Sequence, residues 1–197
     1  MLMSESVHQE QQARRSFIRE PAKRVFAAEF REIIHQFRDG TDEWSPTYSL
    51  LPTGERCNRV CIVGTLTDVQ KPDGENQFCR ARVTDPTGTF FVSAGSYQPE
   101  AMHQLEQLTA PLYVSIIGKP NIYNSQDGRN LVSLRAEIVA TVERDVRDCW
   151  LIETAERTLE RLDRPEDGDK IKALSLHPQE PAVWKKMVHA ALSSMQI

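Results

Sequence analysis

The chain has 197 residues and a formal net charge of −4, which excludes coating of a polyanion by bulk positive charge; any nucleic-acid contact must come from a local basic patch. Hydrophobic residues make up 40% and charged residues 26%, so most of the chain can bury a core, as one ordinary domain with extensions or two small domains. No run approaches the roughly 18 apolar residues of a membrane span, and the four cysteines (Cys57, Cys61, Cys79 and Cys149) form no CxxC pair, so we expect no membrane partner, no metal, no cofactor and a reducing, cytoplasmic setting.

In chain order, residues 1–16 are polar, and residues 1–20 read as a flexible arm. Val25, Phe26, Phe30, Ile33, Ile34 and Phe37 then recur at helical spacing. They predict an amphipathic helix over 21–40, with Pro21 in its first turn and Gly40 at its end. Arg24 and Arg31 on its other side, with Arg14, Arg15, Arg19 and Lys23 upstream, could touch phosphates. Glu10, Glu20, Glu29 and Glu32 beside them fit an ordinary solvated face better. Residues 41–55 are irregular, punctuated by Pro46, Pro52 and Gly54.

Residues 59–69, RVCIVGTLTDV, read as a strand in which Gly64 predicts a bulge or bend. KPDGEN over 71–76 is a polar turn. The stretch 78–97, FCRARVTDPTGTFFVSAGSY, is the most informative in the chain. Asp85-Pro86-Thr87-Gly88 has the residue order of a type I turn, so it joins two strands. Alternation places Cys79, Ala81, Val83, Phe90, Val92 and Ala94 on the inner face. Phe78, Arg80, Arg82, Phe91 and Ser93 fall outside, with Tyr97 either outside or tucked under the next helix.

Pro99 opens a short helix over 99–108. Residues 112–119 form a strand. Asn121, Ile122 and Tyr123 lead into a loop at Asp127-Gly128, and 131–142 returns as a strand. A helix over 146–162, capped by Asp145, carries Trp150, Leu151, Ala155, Thr158, Leu159 and Leu162 along one side. Residues 163–181, broken by four prolines and glycines, read as a linker with a short apolar piece at 171–176. Residues 182–195 make a last short helix.

A strand with a glycine bend, a hairpin, a short helix and a two-stranded return is the order of an OB-fold, a five-stranded Greek-key barrel whose middle strands and two loops bind oligonucleotides or oligosaccharides. The fold class is therefore mainly β with flanking helices. The expected division is an arm (1–20), an amphipathic helix (21–40), the OB-fold (41–145), a helix (146–163) and a linker with a short C-terminal helix (164–197). Binding of a single strand combines positive charge with stacking. Phe78, Arg80, Arg82 and Phe91 on the hairpin, Tyr97 after it, Lys71 in the first loop, and Lys119, Asn121 and Tyr123 before the last loop are the candidate residues, flanked by Arg129 and Arg135. Arg suits the task because its plane stacks on bases and forks onto phosphate. Tyr113 and Phe90 read as core.

The runs PAKRVFAAEFREIIHQF, YSLLPTGERCNRVCIVGTLTDV, RARVTDPTGTFFVSAGSYQPEA, YVSIIGKP and WLIETAERTLER occur in the order found in archaeal proteins associated with replication protein A, and over about 21–162 the chain resembles that family. The resemblance implies a subunit of a heteromeric complex that coats single-stranded DNA in replication, repair and recombination, in a nucleoid-associated location. It also implies that the helix after the barrel packs against partner subunits, here through Trp150, Leu151, Ala155, Leu159 and Leu162. The chain departs from the large subunits of such complexes in lacking paired cysteines for a zinc ribbon, and residues 163–197 look too short for a winged-helix domain.

Catalysis is not expected. Asp85 is accounted for by its turn, and Glu153, Glu156 and Glu160 by a helical surface. His35, His103 and His189 have no Cys or His at ligand spacing, and no phosphate loop or nucleophile elbow occurs. Two other roles stay open: a scaffold subunit with little DNA affinity of its own, favoured by the acidic charge, and an RNA-binding OB module.

Overall fold

Alternating side chains build the barrel. In strand β6 (Cys79–Asp85), Cys79, Ala81, Val83 and Asp85 are buried while Arg80 and Arg82 are exposed. The computed structural model describes residues 20–40, 45–74, 77–124 and 130–195. The arm expected over 1–20, except Glu20, and the loop at Asp127-Gly128 with Arg129 lie outside the described residues.

The other barrel strands are β5 (Val60–Gln70), β7 (Gly88–Ala94), β8 (Leu112–Asn124) and β9 (Asn130–Thr141). Their order is β5-β6-β7-β9-β8, and β5 pairs a second time with β8, which closes the barrel. This is the predicted OB-fold. Its interior holds Ile62, Leu66, Val83, Phe90, Ile116 and Leu134, each 2% exposed or less. Gly64 comes immediately before Thr65 and Leu66, where β5 serves two partners at once; a Cβ there would stand 2.6 Å from the Thr84 carbonyl oxygen. The predicted bulge is displaced from Gly64: the register slips between Leu66 and Asp68, leaving Thr67 as the extra residue. Helix α2 (Pro99–Gln107) packs under β9, β7 and β6 with Ala101 and Leu105 buried.

The N-terminal segment corrects the predicted helix over 21–40. It folds as β1 (Lys23–Arg24), parallel to the start of β5, then a single helical stretch α1 (Ala27–Arg31), then β2 (His35–Arg38). β2 joins β3 (Thr47–Leu50) and β4 (Arg56–Cys57) in a small second sheet. Val25, Phe26, Phe30 and Ile33 are fully buried, as helical spacing predicts. Beyond Ile33, cross-strand pairing overrides the helix. Phe37 stacks on Tyr48 with ring centroids 6.0 Å apart, and the Arg56 guanidinium lies 5.1 Å from the Phe37 ring centre.

Asp85 joins this segment to the hairpin. Its Oδ1 accepts hydrogen bonds from the Thr87 and Gly88 amides at 2.7 and 3.0 Å, and its Oδ2 accepts the Ala27 amide at 2.8 Å. The side chain is 6% exposed, and burial pushes its carboxyl above the ordinary value against hydrogen bonds that favour the charged form.

Helix α3 (Arg144–Asp163) begins one residue before the predicted cap: Glu143 is the N-cap and Asp145 lies in the first turn. Residues 163–181, expected as a linker with a short apolar piece at 171–176, contain helix α4 (Gly168–Leu176). Asp167 caps it by accepting the Lys170 amide at 2.9 Å, and Arg56 forks onto Asp169 at 2.6 and 3.0 Å. Charged composition concealed this helix because partners distant in sequence hold it. Helix α5 (Pro181–Ser193) packs on α3 with Trp184, Val188 and Ala191 buried.

Trp150, Leu151 and Ala155 do not face outward as expected of a subunit interface; each is 3% exposed or less within this chain. Trp150 meets Phe26 edge-on at 5.8 Å and donates its indole N–H to the Cys61 carbonyl at 3.1 Å. Leu159 packs partly buried against the same core, and Leu162 is half-buried.

Further along α3, Arg161 is 5% exposed and pairs with Glu29, which has no exposure, at 2.7 Å. The guanidinium also donates to Thr53 Oγ1 at 3.0 Å, Thr158 Oγ1 at 2.9 Å and the Arg24 carbonyl at 3.3 Å, and Glu29 accepts a hydrogen bond from Thr53. Removing one partner of such a pair strands the other charge without solvent. Arg161→Ala is expected to lower stability in urea unfolding by about 3–5 kcal/mol. Arg157→Ala, one turn away and exposed, is expected to leave the unfolding midpoint unchanged.

Candidate nucleic-acid interface

The bulge at Thr67 sets the outer face of β5. After it, Asp68 stands opposite Arg82 and Gln70 opposite Arg80, so both side chains join the arginines on the outside. The register continues across the barrel. Arg82 is opposite Phe91 and Arg80 opposite Ser93 on β7, and Ser93 in turn lies beside Arg135 on β9. Arg135 is opposite Lys119, Ser133 opposite Asn121, and Leu131 opposite Tyr123. Five strands thus present one continuous outer strip.

Part of this strip is a groove of about 450 Å³. Asp68 and Gln70 form one bank, Arg80, Arg82 and Phe91 the floor, and Tyr123 with Leu131 the other bank. Among the described residues, no helix residue lines it. Phe91 is 48% exposed and Tyr123 61%. The Arg82 guanidinium lies 6.0 Å from the Phe91 ring centre, and its Nε is 4.0 Å from Asp68 Oδ2. Both side chains of that pair are about half exposed, so the contact is a loose one. Among the described residues Arg80 makes no ion pair.

The predicted residues separate into three sets. Arg80, Arg82, Phe91 and Tyr123 meet in the groove. Lys119, Asn121 and Arg135 extend the strip beyond it, and Lys71 is exposed just past the end of β5. Phe78 is 49% exposed and lies against Gly95, where a Cβ would stand 2.6 Å from its ring. Tyr97, 93% exposed, lies apart from the groove. It lines a second hollow with Arg59, Glu100, Arg135, Glu137 and Ile138, where Arg59 and Glu137 pair at 2.5 Å. Phe90 is buried as expected; Tyr113 is half-buried, with Arg147 5.2 Å above its ring centre.

Sequence alternation did not identify Asp68, Gln70, Leu131 and Ser133 as groove residues. Counted from Leu66 without a bulge, Asp68 falls inside the barrel. Only the register slip turns it outward, and no residue in LTDVQ marks that slip. Leu131 had a usable signal: an apolar residue beginning a strand directly after a polar loop.

Neither the known protein-family models nor the curated proteins contain a match to this chain. Solved structures do. The Stn1–Ten1 complex of S. pombe contains a chain with a TM-score of 0.58 and 12% identity, covering 73% of this chain and 95% of that one. A replication protein A heterotrimer bound to single-stranded DNA contains another, with a TM-score of 0.50 and 12% identity, covering 72% and 98%. At such identity the likeness shows the fold.

The close approach of Phe78 to Gly95 makes that ring's position testable. Gly95→Ala is expected to swing the Phe78 ring away from β7, read as a change in its aromatic proton shifts by NMR. Because the ring is half exposed and can move, the expected loss of stability is under about 1 kcal/mol.

Proposed function

We propose that this chain binds single-stranded nucleic acid, DNA first, as an accessory subunit of a replication protein A-like complex serving replication, repair and recombination. One observation carries the reading: a groove, left open by the described residues, in which two arginines lie beside two exposed aromatic rings, on the face where an OB-fold holds oligonucleotides. The role is binding; no chemistry is assigned to the groove. Support also comes from the two structural neighbours, one described as a heterotrimer bound to single-stranded DNA and the other as a two-protein complex.

The groove assigns roles by residue type. Phe91 and Tyr123 offer flat faces for bases. Arg82, held over Phe91, can sandwich a base or fork onto a phosphate. Arg80, with Lys119 and Arg135 further along the strip, follows the backbone. A partner subunit is expected on the side of α3 that the chain leaves open, where Val146 and Ile152 are each 45% exposed.

Fluorescence anisotropy with a labelled oligo-dT tests the reading. The full chain is expected to bind in a salt-sensitive way, and replacing both Arg80 and Arg82 by Ala is expected to reduce the salt slope by about 1.4, at about 0.7 per lost phosphate contact. Phe91→Ala is expected to cost about 1–3 kcal/mol of binding. Binding that appears only after a partner is added would instead favour the scaffold role, which the net charge of −4 supports. Competition with a matched RNA strand separates the RNA-binding role. For assembly, Val146→Glu with Ile152→Glu is expected to release the chain from its complex on size-exclusion chromatography with the barrel still folded. Trp150→Glu is expected to reduce thermal stability.

A further inference from the structure

A carboxylate in a groove for a polyanion needs a reason. Asp68 is 43% exposed in its side chain and stands on the bank of the groove, where a phosphate would be repelled. It is there because of the bulge at Thr67, a device that re-aims a side chain at some cost in ladder pairing. The same slip brings Gln70 out beside it, and the Gln70 amide donates to Asp68 Oδ2 at 3.4 Å. The Arg82 contact falls on Oδ2 as well. Among the described residues neither contact falls on Asp68 Oδ1, and Asp68 lines the groove.

We propose that Asp68 and Gln70 read base edges, and that they favour cytosine and adenine over thymine at one position in the groove; this rests on the single-strand reading above. Cytosine and adenine each present an exocyclic amino donor beside an unprotonated ring nitrogen. The carboxylate accepts from the amino group and the Gln70 amide donates to the ring nitrogen. With the stacked base held in that same register, thymine presents the reverse order, a carbonyl oxygen beside a ring N–H, so its O4 would face the carboxylate. In a single strand these edges are free of pairing. The reach is consistent. Asp68 and Phe91 are two strands apart, about 10 Å at the usual spacing. A base stacked on the Phe91 ring, one hydrogen bond and a short carboxylate arm span that distance.

The test is a pair of anisotropy titrations of the full chain with labelled oligo-dC and oligo-dT of equal length. Both are run at one salt concentration and a slightly alkaline pH that keeps oligo-dC unstructured. The wild-type chain is expected to bind oligo-dC at least about fivefold more tightly, the low end for one well-formed base contact. Asp68→Asn is expected to bring that ratio close to one while oligo-dT binding holds or tightens, because a negative charge has left the groove. Oligo-dA against oligo-dT is expected to follow the same pattern. Equal wild-type binding of the oligonucleotides, or a preference that Asp68→Asn leaves intact, overturns the base reading and leaves single-strand binding standing. No binding of any of them overturns single-strand binding and the base reading together.

Discussion

Closure of the barrel through β5 is the constraint on which the remaining features rest. One strand must hydrogen-bond to β6 on one edge and β8 on the other, and over Thr65–Leu66 it does both at once. Backbone crowding at that point admits no side chain at Gly64, and the strand slips its register three residues on. Everything on the outer strip inherits its position from this geometry, because the register of β5 fixes that of β6, which fixes β7 and β9 in turn. The groove is the outer surface of a closed cylinder, and its walls cannot shift without altering the core layer behind them.

The hairpin was legible because two independent signals agreed: turn residues at 85–88 and strict alternation on both sides of them. The inner and outer sets came out as read. The N-terminal segment misled because its apolar spacing satisfies a helix up to Ile33 and a strand after it, and nothing local marks the change; pairing with β3 decides it. Helix α4 was concealed for a related reason. Its holdfast, Arg56, which forks onto Asp169, is more than a hundred residues away in sequence. Trp150 shows the limit of reading an amphipathic face. Spacing reveals that a side is apolar, and only the fold reveals whether the chain itself or another molecule covers it.

Charge follows a similar division of labour. The chain is acidic as a whole, yet many of its acids are committed to internal partners, among them Glu29, Glu55, Asp85, Glu137 and Asp169. The groove arginines are the less committed cations. Arg161, Arg59 and Arg56 hold the structure together, whereas Arg80 and Arg82 stay solvated. Local field, rather than net charge, is the quantity that matters for a ligand at short range, since screening at physiological salt extends only about 8 Å.

The pairing of Arg161 with Glu29 ties the last long helix to the start of the fold across 132 positions. It makes the barrel a poor candidate for excision. A fragment cut after β9 would lose the only guanidinium that neutralises Glu29 among the described residues, and would uncover Phe26 where Trp150 now rests. Gene fusions or domain shuffling that carried the cylinder alone would therefore inherit a defect at its base. The transferable unit in this protein runs from β1 at least through Arg161, cylinder and helix together.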